Sequence, residues 1–210
     1  MLSIENLKEA SIMKYENEFY VTAAKVGKQA PRFEMEAVMP EGEATDRFGR
    51  VTLDEFLAEG KWVVLYFYPL DFTFVCPTEI QRFNALNEKF EEKGAALIAV
   101  STDSVFSHLA WQEQGDLGRL DHIHASDNNH TVSEAYGILD EDKGVAWRGT
   151  FIITPDGMLK AAHVNHGEGG RNVDEVLRTL EVFQQEAEGK LVPCGWNPGE
   201  DFVDPDKNEK

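Results

Sequence analysis

The sequence predicts an α/β fold in which a mixed central sheet is flanked by helices. Two continuous apolar runs of strand length, residues 62–68 and 95–101, are typical of strands buried on both faces of a sheet. Each run precedes a segment whose apolar residues recur at helical spacing, and this alternation favours parallel strands with right-handed crossovers. Farther along, Asp156-Gly157 separates the apolar segments 150–154 and 159–164, which indicates a hairpin and adds antiparallel strands.

The elements before the first buried strand are short. Residues 1–25 form an N-terminal extension whose weak apolar periodicity fits either a helix or a strand. Residues 48–53 predict a turn followed by a short strand, and residues 54–59 predict a short helix.

Three longer helices follow. The segment 77–92 has apolar residues at helical spacing and stops before Gly94, a residue type that commonly ends helices. A second helix is predicted over about 104–114 and a third over about 173–188. The apolar side chains of the third helix form a stripe that we interpret as core.

No repeat or linker divides the chain, so one folded domain is expected over residues 26–190. Residues 191–210 form a C-terminal tail that contains Cys194, and the charged composition of residues 199–210 predicts disorder at its end.

The composition excludes several classes of partner. The chain has 210 residues, with 20 Lys and Arg against 38 Asp and Glu, and a net charge of −18. This charge repels nucleic acid and anionic membranes, so neither is expected as a partner. No apolar run reaches the length of a membrane span, and residues 1–7 lack the basic and apolar regions of a secretion signal. We therefore expect a cytoplasmic protein.

Only two cysteines occur, Cys76 and Cys194, and they do not form a Cys-x-x-Cys motif. The thioredoxin-type dithiol and the paired-cysteine zinc site are therefore absent, and no metal or other cofactor is expected. In a cytoplasmic chain, two thiols are more often catalytic than a structural disulfide.

Cys76 lies where the loop after the first buried strand becomes the first turn of a helix. Pro77 fits this placement, because the first helical position does not need its N–H. A thiol there faces unpaired backbone N–H groups and the positive end of the helix dipole, which stabilise a thiolate. The alternative is a buried, inert cysteine that packs as a small apolar side chain.

The pattern Pro69-x-x-x-Thr73-x-x-Cys76 resembles the active-site signature of the peroxiredoxins. The longer block over residues 72–79 is similar to their typical two-cysteine subgroup, which includes the bacterial alkyl hydroperoxide reductase C proteins. The similarity extends from about residue 26 to residue 196, nearly the whole chain. It implies a thioredoxin-like fold and a thiol-dependent peroxidase that reduces hydrogen peroxide and organic hydroperoxides through a cysteine sulfenic acid.

The resemblance also implies a role for each residue of the site. Cys76 is the nucleophile, Thr73 hydrogen-bonds the incoming peroxide, and Pro69 shields the pocket from water. Arg148 matches the arginine of the family's Arg-Gly-x-Phe strand and supplies the positive charge that stabilises the leaving oxygen.

Glu79 and Arg171 resemble a further pair of family positions, a carboxylate and a guanidinium that orient Arg148. Glu79 also suits the first turn of a helix, where a carboxylate interacts favourably with the dipole. For Arg171, an exposed arginine at the start of the last helix remains an equal alternative.

Cys194 is the expected resolving cysteine. In the family, the resolving thiol belongs to the partner subunit of a head-to-tail homodimer, and five such dimers often assemble into a ring. The electron donor is either thioredoxin or a flavoprotein disulfide reductase. This sequence departs from the family at this point, since Val-Pro-Cys over residues 192–194 replaces the usual Val-Cys-Pro.

Three further interpretations concern regulation, metal binding and function class. Family members that are prone to over-oxidation have a Gly-Gly-Leu-Gly loop and a C-terminal helix with a Tyr-Phe pair. Here Gly115-Asp116-Leu117-Gly118 nearly matches the loop, but only Phe202 corresponds to the pair. We therefore predict that Cys76 resists over-oxidation. His122 and His124 lack a nearby third ligand, which favours a solvated or interface pair over a metal site. A holdase ring and a thiol–disulfide oxidoreductase remain as the alternative functions.

Overall fold

A seven-stranded sheet organises the computed structural model, which describes residues 23–167 and 169–207. The strands are β1 (Glu34–Val38), β2 (Phe48–Thr52), β3 (Trp62–Phe67), β4 (Ala95–Ser101), β5 (Ile123–Ser126), β8 (Arg148–Ile153) and β9 (Leu159–Asn165). Their order across the sheet is β2-β1-β5-β4-β3-β8-β9. A separate two-stranded ribbon pairs β6 (Leu139–Asp140) with β7 (Val145–Ala146).

The sheet is mixed, as the sequence predicts. β3 pairs with β4 in parallel, and β4 pairs with β5 in parallel. β3 also pairs with β8 antiparallel, and β8 with β9 antiparallel across the predicted Asp-Gly turn. Every residue of β3 is buried, because helices cover both faces of this central strand.

Six helices flank the sheet among the described residues. They are α1 (Leu53–Ala58), α2 (Cys76–Ala85), α3 (Asn87–Glu92), α4 (Val105–Gln114), α5 (Thr131–Ala135) and α6 (Val173–Ala187). The predicted continuous helix over 77–92 is divided into α2 and α3 at Leu86. There the backbone N–H bonds to the carbonyl of Phe83, three residues back, which tightens the turn and interrupts the α-helical ladder.

Two apolar clusters pack on the opposite faces of the sheet. Alternate residues of β3 point to each face, with Val64 and Tyr66 on one side and Val63, Leu65 and Phe67 on the other; Tyr68, which follows β3, lies on the side of Tyr66. The first cluster includes side chains of α2, α3 and α6, among them the predicted stripe residues Val176 and Leu180. The second includes side chains of α1 and α5. The loop between β3 and α2 therefore leaves a rigid, doubly covered strand.

The described part of the tail packs on α6 instead of being disordered, and Arg178 of α6 donates to the carbonyl of Trp196. Trp196 is buried, its ring stacks on Phe202, and the N–H of Val203 bonds to the carbonyl of Leu191. The charged composition misled the prediction, because these few apolar side chains suffice to fix the segment. The predicted extension over residues 1–25 lies almost entirely outside the described residues.

Within residues 23–167 and 169–207, no helix is both long and apolar enough to span a membrane.

Candidate active site

Cys76 is the first residue of α2 and is almost fully buried, with an exposed fraction of 1%. Pro77 occupies the first turn, as the sequence predicts. The loop that leads to Cys76 has an unusual backbone at Phe72, whose φ of 54° lies in the left-handed region. The ring of Phe72 packs against Trp111 at a centroid distance of 5.6 Å, and this contact helps to fix the loop.

Arg148 provides a buried positive charge directly beside the thiol. It begins β8, and the antiparallel pairing of β8 with β3 places it near the start of α2. Its Nη1 lies 3.3 Å from Cys76 Sγ and 2.6 Å from Glu79 Oε2. Burial alone would lower the pKa of Arg148, but the hydrogen bond to Cys76 and the charge of Glu79 outweigh it and raise that pKa. The guanidinium therefore stays charged.

Glu79 joins Arg148 to Arg171. Glu79 Oε1 accepts from the backbone N–H of Arg171 at 2.7 Å and from its Nε at 2.9 Å. Burial would raise the pKa of Glu79, but the hydrogen bonds and charge of Arg171, followed by the charge of Arg148, outweigh burial and lower that pKa. Glu79 is consequently a carboxylate that holds two guanidinium groups.

Arg171 is not the exposed arginine that the sequence left open as an alternative, since its side chain is 2% exposed. Besides Glu79, it donates to the carbonyls of Phe67 at 2.6 Å and Gly149 at 2.8 Å, and to Thr150 Oγ1 at 3.0 Å. One side chain therefore connects β3, β8 and α2 at the point where the site is built.

A pocket of about 270 Å³ opens above the thiol. Pro69, Thr73, Cys76 and Arg148 all line it. Its outer wall is formed by Leu70, Asp140, Lys143, Val145, Ala146, Trp147, His166 and Gly167. Thr73 Oγ1 donates to the carbonyl of Leu70 at 3.0 Å, so its oxygen keeps lone pairs with which to accept a hydrogen bond from a ligand.

Cys194 is not part of this assembly. It is exposed on the tail after α6, whereas Cys76 is buried, and neither cysteine is in a disulfide. The structure thus brings together Pro69, Thr73, Cys76, Glu79, Arg148 and Arg171, and leaves Cys194 apart from them.

Comparisons with known proteins agree with this geometry. The model of the AhpC/TSA family matches residues 26–162. Peroxiredoxin prdx-2 of Caenorhabditis elegans is 46% identical over 194 residues, which cover 90% of this chain and 93% of that protein. The chain belongs to the AhpC/TSA family of peroxiredoxins.

Solved structures place this peroxiredoxin in the same group. The reduced 2-Cys peroxiredoxin of Plasmodium vivax matches with a TM-score of 0.78 at 38% identity, covering 86% of this chain and 93% of the other. Mycobacterium tuberculosis AhpC matches with a TM-score of 0.71 at 41% identity, covering 78% and 95%. The fold is thioredoxin-like, and the protein is a thiol-dependent peroxidase that acts on a peroxide.

The peroxiredoxin also contains buried polar residues that sequence reasoning missed. His122 and His124 are 3% and 0% exposed, so their interpretation as a solvated or interface pair is wrong. Each forms a hydrogen bond with a tyrosine hydroxyl: His122 with Tyr66 of β3, and His124 with Tyr68, which directly follows β3. Their spacing alone could not reveal this, because the tyrosine partners are distant in sequence. The signal that could have found them is the pair of tyrosines two apart in an otherwise apolar segment, because a buried tyrosine hydroxyl needs a hydrogen-bond partner.

Asp71, His108 and His124 have ligand atoms close enough together to suggest a metal site. The two imidazole rings are stacked, however, with centroids 3.8 Å apart and planes inclined by 16°. The lone pairs of an imidazole lie in the plane of its ring, so two nearly parallel, stacked rings do not direct them at one ion. The arrangement fits a hydrogen-bonded cluster and does not fit a metal centre.

Proposed function

We propose that this peroxiredoxin reduces hydrogen peroxide and organic hydroperoxides by attack of the Cys76 thiolate on a peroxide oxygen. The observation that carries the proposal is the 3.3 Å contact of Arg148 Nη1 with Cys76 Sγ, in a pocket that Thr73 also lines. An S–O bond forms and the O–O bond breaks, so sulfur is oxidised by two electrons and the peroxide is reduced. The leaving hydroxide or alkoxide takes a proton to give water or an alcohol, and Cys76 becomes a sulfenic acid.

Each residue around the thiol has a part in this step. The Arg148 guanidinium stabilises the thiolate and then the charge that develops on the leaving oxygen. The Thr73 oxygen accepts a hydrogen bond from the peroxide O–H and so orients it, while Pro69 excludes water. Glu79 and Arg171 hold Arg148 in position through the buried hydrogen bonds described above.

Cys194 of the partner subunit is the proposed resolving thiol. It attacks the sulfenic sulfur of Cys76, so that an S–S bond forms, the S–O bond breaks and water leaves. Exposure of Cys194 on the tail, residues 191–210, supports this role, because a thiol offered to another chain must be accessible. A disulfide requires Cα atoms within about 7 Å, so the first turn of α2 must open to expose the buried Cys76.

A head-to-tail homodimer follows from an intersubunit disulfide, and a ring of five dimers is proposed as the larger assembly. Two features support association. β9 is an edge strand of the sheet with several exposed side chains, so it offers backbone groups for pairing. Three aromatic side chains are exposed: Phe72 at 58%, Phe74 at 95% and Phe106 at 70%. Exposed aromatic side chains commonly mark protein contacts.

Thioredoxin or a flavoprotein disulfide reductase is the proposed electron donor, since either reduces a disulfide and returns both thiols. The two unpaired cysteines suit a reducing compartment, which supports a cytoplasmic location.

The test is a non-reducing gel with intact-mass measurement after one equivalent of hydrogen peroxide. The wild type is compared with Cys76→Ser and Cys194→Ser. A covalent dimer that needs both cysteines is expected, and Cys194→Ser alone should accumulate a sulfenic acid at Cys76.

Two results would contradict parts of the proposal. A wild-type monomer with a stable sulfenic acid would mean that Cys194 does not resolve and that an external thiol does. A wild type that does not consume peroxide would favour a holdase ring, and reduction of a protein disulfide without peroxide would favour a thiol–disulfide oxidoreductase.

A further inference from the structure

A buried hydrogen-bond chain runs from Asp71 in the active-site loop to β5 and α4. Asp71 belongs to the loop between β3 and α2, and its side chain is 1% exposed. Its Oδ1 accepts from the hydroxyl of Tyr68 at 2.6 Å, and its Oδ2 accepts from Ser107 Oγ at 2.8 Å. His108 Nδ1 lies 2.8 Å from the same Oδ2. One side chain from the loop itself, Tyr68, and two from α4, Ser107 and His108, thus converge on the Asp71 carboxyl group.

The direction of each hydrogen bond in the chain is determined by its neighbours. Gln112 Oε1 accepts from Arg47 at 2.7 Å and from the N–H of Leu120 at 3.2 Å, which fixes the amide orientation. The Gln112 amide therefore donates to His124 Nδ1 at 3.0 Å, and His124 carries its proton on Nε2. Nε2–H donates to the Tyr68 oxygen, which leaves the Tyr68 hydroxyl to donate to Asp71.

The tautomer of His108 follows from its second contact. Its Nε2 lies 3.1 Å from the carbonyl of Ala125, and a carbonyl only accepts, so Nε2 carries a proton. Nδ1 contacts Asp71 Oδ2 at 2.8 Å. His108 thus joins β5, through the carbonyl of Ala125, to the active-site loop, through Asp71.

The loop needs such support because its backbone is unusual. Phe72, next to Asp71, has a positive φ, a conformation that persists only where the surroundings determine it. The N–H of Asp71 is held by Asp103 Oδ2 at 2.9 Å. Pro69 and Thr73, two residues on either side of Asp71, line the pocket above Cys76. A shift of Asp71 would therefore displace the groups that receive the peroxide.

We propose that His108 and Tyr68 are positioning residues, which act through Asp71 to hold Thr73 and Pro69 over Cys76 for attack on the peroxide. The inference rests on the proposed function and adds residues that do not themselves line the pocket. Neither His108 nor Tyr68 lines the pocket above Cys76, so we expect their effect to act through the geometry of the loop.

The variants His108→Leu and Tyr68→Phe test this proposal. His108→Leu removes both hydrogen bonds of the imidazole, whereas in His108→Asn the amide N–H replaces Nδ1 and restores the bond to Asp71. Tyr68→Phe removes one hydroxyl without changing the ring. The matched control is Tyr66→Phe, since Tyr66, two residues before Tyr68, also forms a hydrogen bond with a buried histidine, His122, at 2.7 Å.

Two rates are measured for each variant: oxidation of Cys76 by hydrogen peroxide in stopped flow, and alkylation of Cys76 by iodoacetamide. Peroxide oxidation is expected to be about 10- to 100-fold slower in His108→Leu and Tyr68→Phe, because small misplacements of reacting groups have effects of this size. Alkylation breaks no O–O bond and needs no hydrogen bond from a peroxide to Thr73, so it should stay near the wild-type rate in all variants. His108→Asn and Tyr66→Phe should retain the wild-type peroxide rate.

Folding is checked by thermal unfolding, and Tyr68→Phe serves alone if His108→Leu does not fold. A folded Tyr68→Phe protein that oxidises at the wild-type rate would overturn the inference. So would equal losses in Tyr66→Phe and Tyr68→Phe, because these would reflect lost stability and not loop position. A wild type whose Cys76 does not react with peroxide would instead overturn the proposed function.

Discussion

Arg171 holds Glu79 through three hydrogen bonds, one from its backbone N–H at 2.7 Å and two from its guanidinium at 2.9 Å and 3.2 Å. The backbone contact means that the position of the loop before α6, and not only a side-chain rotamer, fixes the carboxylate. Because Glu79 in turn holds Arg148, the charge beside the thiol is set by a residue that does not touch it.

Replacement of Arg171 by lysine should therefore destabilise the protein although the charge is kept. A single ammonium group does not reproduce the planar donors that reach Glu79, Phe67 and Gly149 together. We expect Arg171→Lys to lower the free energy of unfolding by about 3 kcal/mol, measured in urea, and to slow peroxide oxidation.

Arg82→Lys is the matched control, since Arg82 also pairs with a carboxylate, that of Asp174, but their side chains are 48% and 59% exposed. Its loss should stay below about 1 kcal/mol. Equal losses in the two variants would show that the buried network contributes no more than a surface ion pair.

The hydroxyl of Thr73 should be needed for reaction with peroxide. Thr73→Val keeps the shape of the side chain and removes the only polar atom it offers to the pocket, so we expect a rate about 100-fold lower. Thr73→Ser should restore most of the rate. Thr78→Val is the control, because the Thr78 hydroxyl binds the carbonyl of Val75 outside the pocket. A Thr73→Val enzyme as fast as the wild type would exclude this contact from the mechanism.

Acid should weaken the fold through His122. Burial lowers the pKa of His122 from 6.5 to about 3. Its Nδ1 faces Asn84 Oδ1, which also accepts from the N–H of Asp121, so Nδ1 carries the proton and Nε2 accepts from Tyr66. Between pH 6.5 and 3 the unfolded chain binds a proton there and the folded chain does not. Stability from this group is therefore fully present above pH 6.5 and is lost as the pH falls, by about 1.4 kcal/mol per pH unit.

His122→Gln, which does not titrate, isolates this contribution. Urea unfolding measured from pH 7 to pH 4 should show a smaller loss of stability in the variant than in the wild type. Parallel curves would mean that His122 already binds its proton in the folded protein.

Resistance of Cys76 to over-oxidation remains a prediction that depends on how α2 is held. Gln81 of α2 donates to the carbonyl of Asp116 at 3.1 Å and so ties the helix to the Gly115–Gly118 loop. The described tail is joined to α6 by Arg178, which donates to the carbonyl of Trp196. We expect intact mass to show sulfinic Cys76 only at a large excess of peroxide. In Gln81→Ala, which loses the hydrogen bond between α2 and this loop, an even larger excess should be needed. Sulfinic acid at low excess in the wild type would contradict the prediction.

The residues predicted best from sequence are those whose placement depends on their neighbours along the chain. Cys76 at the start of a helix could be inferred from the buried strand before it, from Pro77 and from the apolar spacing after it. The central sheet followed from apolar runs in the same way. Arg148 and Arg171 could be named only through the resemblance, since their approach to Glu79 joins segments 69 and 92 residues apart.

Other features were hidden because they depend on packing. His108 and His124 carry no local signal of burial, and only the fold shows that a tyrosine, an aspartate, a glutamine and a backbone carbonyl satisfy their nitrogens. The tail was predicted from its charges, yet Trp196 and Phe202 decide its position. Long-range contacts of this kind depend on how distant segments meet, which periodicity does not describe.

The order of the site residues along the chain has a consequence for synthesis on the ribosome. Cys76 and Glu79 are synthesised first. Arg148 follows 72 residues after Cys76, and Arg171 follows 92 residues after Glu79. A nascent chain that ends before β8 contains neither arginine, and the central strand β3 lacks its antiparallel neighbour. Because domains generally fold as units, the reactive form of the thiol arises only once almost the whole domain has emerged.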